Sequence, residues 1–377
     1  MGDGRTTSIR SRNPLGSAML LGIVHAVVDM ASVAILYGEL NRGQLTFDRV
    51  CQFILLYNCI AFGLQFPLGL VADHFRAYKP ATVAGLAGVA VAIGLLTQHP
   101  QLAVVLVGIG NALFHIGAGA IVLESSDGRA AAPGVFVAPG ALGVLLGVWL
   151  GSAGFPGRLW GIMIVVISTL GALMQPPRSP IRAIVPNSNR SQAGMWLCAG
   201  LLFVAIAIRS LIGDAVTGSW RGVWTMGFAL TLAAVAGKSF GGFVADRVGR
   251  RTCVVGALLL LAPVIGLASG NAPTAVLAMF LIQTTMAVTL TALFVGLPKQ
   301  PARVFGLASG ALLLGALPGL TGISLGHDPT QILTISVIVA ALGIFIGLCF
   351  LTRPCRASEP AEAEIEPGNG PIFSVTV

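Results

Sequence analysis

Hydrophobic and polar positions along this chain fall into long blocks rather than alternating residue by residue. About twelve apolar runs stand at 15–38, 48–71, 81–98, 101–123, 133–152, 159–175, 194–213, 222–243, 253–270, 273–297, 302–324 and 329–351, with short polar breaks between them. A helix needs about 20 predominantly apolar residues to cross a ~30 Å hydrocarbon core. The runs are continuous and rich in Leu, Ala and Gly, which suits helices that satisfy their own backbone hydrogen bonds in lipid and disfavours barrel strands. The pattern predicts an all-α polytopic membrane protein with about 12 transmembrane helices.

Composition leads to the same class. Of 377 residues, 55% are hydrophobic and 10% charged, with a mean hydropathy of +0.88; soluble domains carry roughly 25% charged residues. Almost nothing is left for a soluble domain. The first run has basic flanks but is longer than a signal-peptide core and is followed by many more spans, so it is expected to be a retained helix.

The net charge of +8 reflects topology. Arg5, Arg10 and Arg12 precede the first run, and every second loop after it carries basic residues: Arg76 and Lys79, Arg129, Arg178, Arg182 and Arg190, Arg247, Arg250 and Arg251, Lys299 and Arg303, then Arg353 and Arg356. The positive-inside rule then places both termini in the cytoplasm. Charge spread this thinly forms no patch for nucleic acid. The six cysteines show neither metal-site spacing nor an extracellular disulfide framework.

One phrase occurs twice. GLVADHF at 69–75 returns as GFVADRV at 242–248, each at the end of an apolar run, and VFVAPGALGVLLG at 135–147 is echoed by VFGLASGALLLG at 304–315. The repeat predicts two pseudo-symmetric six-helix bundles. The expected units are 1–175, a Pro-rich basic linker at 176–193, 194–351, and a disordered acidic tail at 352–377.

Gly242-x-x-x-Asp246-Arg247-x-Gly249-Arg250-Arg251 resembles the loop signature of the major facilitator superfamily, and Gly69-x-x-x-Asp73 with Arg76 resembles a partial copy of it. His74 and Arg76 stand where that family usually has Arg and Gly. The physical reading agrees: glycine allows close helix approach, the Asp accepts from helix N-terminal amides or pairs with Arg, and the set forms a conformational latch. VHAVVDMAS at 24–32, NALFHIGAGA at 111–120, APGALGVLLG at 138–147 and AIRSLIG at 207–213 resemble the fosmidomycin-resistance branch, whose members are regarded as proton-driven exporters. Ile116 stands where that branch has Pro.

Ionisable groups inside spans are costly and mark functional sites. His25 and Asp29 are one helical turn apart in the first span, Asn111 and His115 likewise in the fourth, and Arg209 lies in the seventh. The resemblance implies that the first, fourth, seventh and tenth helices line a central cavity, where Gln283, Thr284 and Thr285 join them. Asp29 and His25 are the candidate proton-coupling pair; Arg209, His115, Asn111 and Gln283 are the candidate substrate-binding residues. Ion pairing of Arg209 with Asp29 or Asp214, and a satisfied core role for His115, stand as the structural alternatives. Lys238 is expected to snorkel to the cytoplasmic end.

Gly143, Gly147 and Gly151 form a small-residue stripe suited to helix packing. GIGNALFHIGAG at 108–119 follows no strand and is no dinucleotide site, and no P-loop, zinc spacing or nucleophile elbow occurs. The expectation is therefore a non-enzymatic protein without cofactor or metal. It would export a small molecule, a drug or organic anion, by proton antiport through alternating access, as a monomer in a bacterial inner membrane. Two readings stay open: a symporter or facilitator importing an organic anion or sugar, and a non-transporting membrane receptor or assembly protein.

Overall fold

The computed structural model describes residues 13–42, 46–154, 162–163, 166–167, 169–170, 192–268, 270–323 and 329–352. Arg5, Arg10, Arg12, most of the sixth expected span, most of the 176–193 linker and all but the first residue of the acidic tail lie outside them. Among the described residues the chain is helical: α1 (Pro14–Arg42), α2 (Phe47–Asn58), α3 (Gln65–Phe75), α4 (Tyr78–Leu95), α5 (Pro100–Ser125), α6 (Ala131–Ser152), α7 (Gln192–Ser219), α8 (Trp224–Val248), α9 (Arg250–Ile265), α10 (Ala272–Gly296), α11 (Pro301–Thr321) and α12 (Pro329–Thr352). Ten stretches among the described residues are long and apolar enough to cross a membrane. One of them joins α2 to α3 through a π-helical turn, Cys59–Gly63, which the apolar pattern did not signal.

Early helices pack mainly on early ones and late helices on late ones: α1 on α6, α4 on α5, α8 on α10, and α7 on both α11 and α12. The two sets meet where α6 lies along α8 and α3 along α11. Large apolar side chains such as Leu259, Leu260, Ile335 and Leu342 remain exposed, as expected of surfaces solvated by lipid.

The α1–α6 contact is the most extensive among the described residues. A β-carbon added at Gly143 would collide with the Ala26 carbonyl, and at Gly147 and Gly151 it would stand 2.7 Å from the carbonyls of Met30 and Ala34. The small-residue stripe of α6 thus lies on the Ala26, Met30 and Ala34 face of α1. This contact sets where the polar groups of α1 come to rest.

Candidate functional site

The i, i+4 pairs of α1 and α5 face one another. His25, Asn111 and His115 are buried, and Asp29 is nearly so. His25 Nε2 lies 3.1 Å from Asp29 Oδ2, His115 Nε2 lies 3.6 Å from Asp29 Oδ1, and the two Nε2 atoms are 2.8 Å apart. Asn111 donates to Asp29 Oδ1 at 2.9 Å and to Ser32 Oγ at 3.3 Å. Gly140 of α6 closes the cluster, since a β-carbon there would be 2.5 Å from His25 Nε2.

The other ring nitrogens define the protonation. His25 Nδ1 is 3.0 Å from the Phe136 carbonyl oxygen, and His115 Nδ1 is 2.8 Å from that of Asn111. A carbonyl only accepts, so each Nδ1 carries the proton and donates. In neutral rings both Nε2 atoms would then be bare lone pairs pointed at each other. One further proton between them turns repulsion into a hydrogen bond, and the Asp29 carboxylate balances the resulting charge. A proton on Asp29 instead would leave the lone pairs face to face.

The same three ligand atoms lie within 4.8 Å of one another, the spacing of a candidate metal site. Two nitrogens on a tetrahedral ion with bonds of about 2.0–2.1 Å stand about 3.3 Å apart. The observed 2.8 Å fits a bridging proton better.

His25, Asp29 and His115 line a cavity of about 280 Å³ together with Asn58, Phe62 and Phe305. It adjoins a second cavity of about 400 Å³, lined by Arg209, Asp214, Thr217, Lys238 and Gln283; Ser210, Lys238 and Met286 line both. The lining extends to Thr217 and Gly227, near the α7–α8 turn. That end is opposite the repeated Gly-x-x-x-Asp loops.

Arg209 is 4% exposed. Its Nη1 donates to Met286 Sδ at 2.8 Å and weakly to Gln283 Oε1 at 3.4 Å, and its Nε has no partner among the described residues. Among those residues it pairs with neither Asp29 nor Asp214. Asn111 stands behind Asp29 and lines neither cavity, and Thr284 and Thr285 turn their hydroxyls onto the carbonyls of Leu281 and Ile282. Lys238 does not snorkel to the helix end; it lines both cavities from the middle of α8.

At the loop end, the two repeated aspartates behave alike. Asp73 accepts from the backbone amides of Ala302 and Arg303 at 3.0 and 2.8 Å, at the start of α11. Asp246 accepts from those of Ala130 and Ala131 at 2.8 and 2.9 Å, at the start of α6. Each carboxylate caps a helix in the opposite half of the chain, where unpaired amides and the helix dipole favour negative charge. Gly69 and Gly242 permit the approach: added β-carbons would stand 2.6 Å from the Ala302 carbonyl and 2.5 Å from that of Ala130. Arg250 donates to the Gly128 carbonyl and Arg251 to that of Leu348, while Arg76 and Arg247 are exposed. Gly249 and Arg76, equivalent in the repeat, both have positive φ, 93° and 50°.

By sequence, no protein-family model and no curated protein matches the chain. Solved structures do match it. FucP, a Major Facilitator Superfamily transporter in the outward conformation, superposes with a TM-score of 0.67 at 11% identity, covering 91% of this chain and 99% of that one. A variant of the E. coli fucose:proton symporter FucP gives 0.64 at 11% identity over 90% and 97%. The human organic anion transporter MFSD10 (TETRAN) gives 0.66 at 15% identity over 89% and 100%. The chain is an integral multi-pass membrane protein with the major facilitator fold.

Proposed function

We propose that the protein is a secondary active transporter that moves a small organic anion outward in exchange for a proton moving inward. The observation that carries this reading is the contact between His25 and His115: with both Nδ1 atoms committed to carbonyls, the Nε2 pair at 2.8 Å accommodates one proton beside Asp29, on the wall of a cavity. Arg209, buried on the adjoining cavity without an acidic partner among the described residues, supplies the charge that selects an anion.

The mechanism is alternating access. With Asp73 and Asp246 both capping helices across the halves, the loop end is latched and the cavity reaches toward the other end. A proton enters the trio from that outward-reaching cavity, the halves rock with it bound, and its loss on the loop side favours the opened loop end and readies Arg209 for substrate there. The halves 1–175 and 194–351 rock about the site, with the loop end and both termini in the cytoplasm of a bacterial cell. Membership of the fosmidomycin-resistance branch fits the same reading.

A second reading has its own support, since FucP, which shares the fold, is a fucose:proton symporter. The test separates the two. In everted vesicles with an acidic interior, a pH-sensitive dye follows protons as small anions and sugars are added. Antiport predicts substrate-dependent proton release that is lost in Asp29→Asn. Release that persists in Asp29→Asn overturns the coupling role, and uptake of protons with substrate overturns exchange in favour of symport.

A further inference from the structure

Lys238 belongs to the middle of α8, ten residues before its last residue, Val248. At 1.5 Å per residue that places it about 15 Å from the helix end, beyond the reach of its ammonium group. Among the described residues it makes no ion pair, and it lines both cavities. Arg209 faces the larger cavity from α7, with its Nε buried and unpartnered among the described residues. Two cations thus share one cavity from different helices.

The acids on the same walls do not cancel them. Asp29 is taken up by His25, His115 and Asn111. Asp214 lies five residues along α7 from Arg209 and packs against Gly319 of α11. Arg209 is buried and Lys238 half-buried; cations without a paired counter-charge are costly inside a membrane protein, and like charges on one cavity raise that cost. A ligand bearing two negative charges offsets both.

We propose that the cavity selects a doubly charged anion, a dicarboxylate or a phosphoryl compound, held between Arg209 and Lys238. This rests on the anion-exchange reading above and narrows it. Arg209 supplies a planar fork for one charged group, and Lys238 supplies a point charge with three donors for the other. Phosphoryl compounds are close to fully doubly charged above their second pKa of about 6.

Isothermal titration of the purified full chain in detergent at pH 7.5 tests it with two matched pairs: succinate against butyrate, and glycerol phosphate against glycerate. One dianion should bind about tenfold or more tightly than its monoanion, the scale of one charged hydrogen bond, and the pair that discriminates identifies the headgroup. Lys238→Met should erase the preference and Lys238→Arg retain it, with thermal unfolding confirming that each variant is folded. Equal binding within both pairs, a preference that survives Lys238→Met, or no binding of either dianion overturns the proposal. Proton release by a monoanion but by no dianion in the vesicle assay would leave the anion-exchange reading standing while this one falls; absence of release by any compound removes both.

Discussion

His25 donates through Nδ1 to the carbonyl of Phe136, which stands five residues beyond Ala131, whose amide is held by Asp246. A matching link runs through the other half. Phe305 follows Ala302 and Arg303, the amides held by Asp73, and its ring packs 6.1 Å from that of His115 and 6.0 Å from that of Phe136. The first two turns of α6 and α11 therefore touch the proton trio on one side and a latch on the other. Both latches report to a single hydrogen-bonded cluster.

Deprotonating the trio should therefore loosen the latched end. Without the bridging proton the two Nε2 lone pairs repel, and either ring must move against Phe136 or Phe305. Spin labels at His74 and Lys299, exposed residues of opposite halves at the loop end, should show a longer distance in alkaline than in acidic buffer. His115→Phe should abolish that dependence. A wild-type distance that ignores pH would sink the link between trio and latch.

The two latches should be of similar strength although only one has the full loop signature. Each aspartate accepts from two backbone amides at nearly equal distances, and hydrogen bonds to a charged group are worth about 1.5–3 kcal/mol each. Asp73→Asn and Asp246→Asn should both lengthen the same label distance and lower the melting temperature by comparable amounts. A large effect from Asp246→Asn with none from Asp73→Asn would show that the capping of α11 is incidental.

Much of this was legible in the chain because it rests on local periodicity. Apolar runs of span length, the repeated Gly-x-x-x-Asp phrase and the i, i+4 pairs His25–Asp29 and Asn111–His115 all follow from residue spacing. What spacing does not encode is the rotation of one helix against another. The meeting of His115 with His25, the placement of Asn111 behind Asp29, and the reach of each latch aspartate into the opposite half depend on that rotation. Lys238 departs from the snorkelling position its sequence suggests for a different reason. The apolar run ending near 243 understates α8, which continues to Val248 and so carries Lys238 inward.

Gly140 is a sharp test of the cluster's packing. A methyl group there would press on His25 Nε2 and Asp29 Oδ2, at 2.5 and 2.8 Å, and overpacking of this kind costs about 1–3 kcal/mol. Gly140→Ala should lower the melting temperature modestly and strongly reduce substrate-driven proton release in vesicles, because the rings that share the proton are pushed apart. Gly213, which faces the other cavity and among the described residues has only Gln283 near its would-be β-carbon, at 3.8 Å, should accept Ala without altering stability. Unchanged proton release in Gly140→Ala would argue that the close contact between the two imidazoles is not needed for coupling.

Arg76 offers the opposite kind of change. It caps α3 in the left-handed conformation, φ 50° and ψ 37°, while its repeat partner Gly249 takes φ 93° at the end of α8. A left-handed residue with a β-carbon costs about 1–2 kcal/mol relative to the right-handed form, a penalty glycine escapes. Arg76 is exposed, so replacing it removes no buried contact. Arg76→Gly should therefore raise the melting temperature, and the equivalent Gly249→Ala should lower it. The pair also bears on transport: if the latch is a conformational restraint, tightening the α3 cap should slow proton-coupled turnover even as it stabilises the protein. A stabilised Arg76→Gly protein with undiminished turnover would separate the strain at this cap from the latch's role in the cycle.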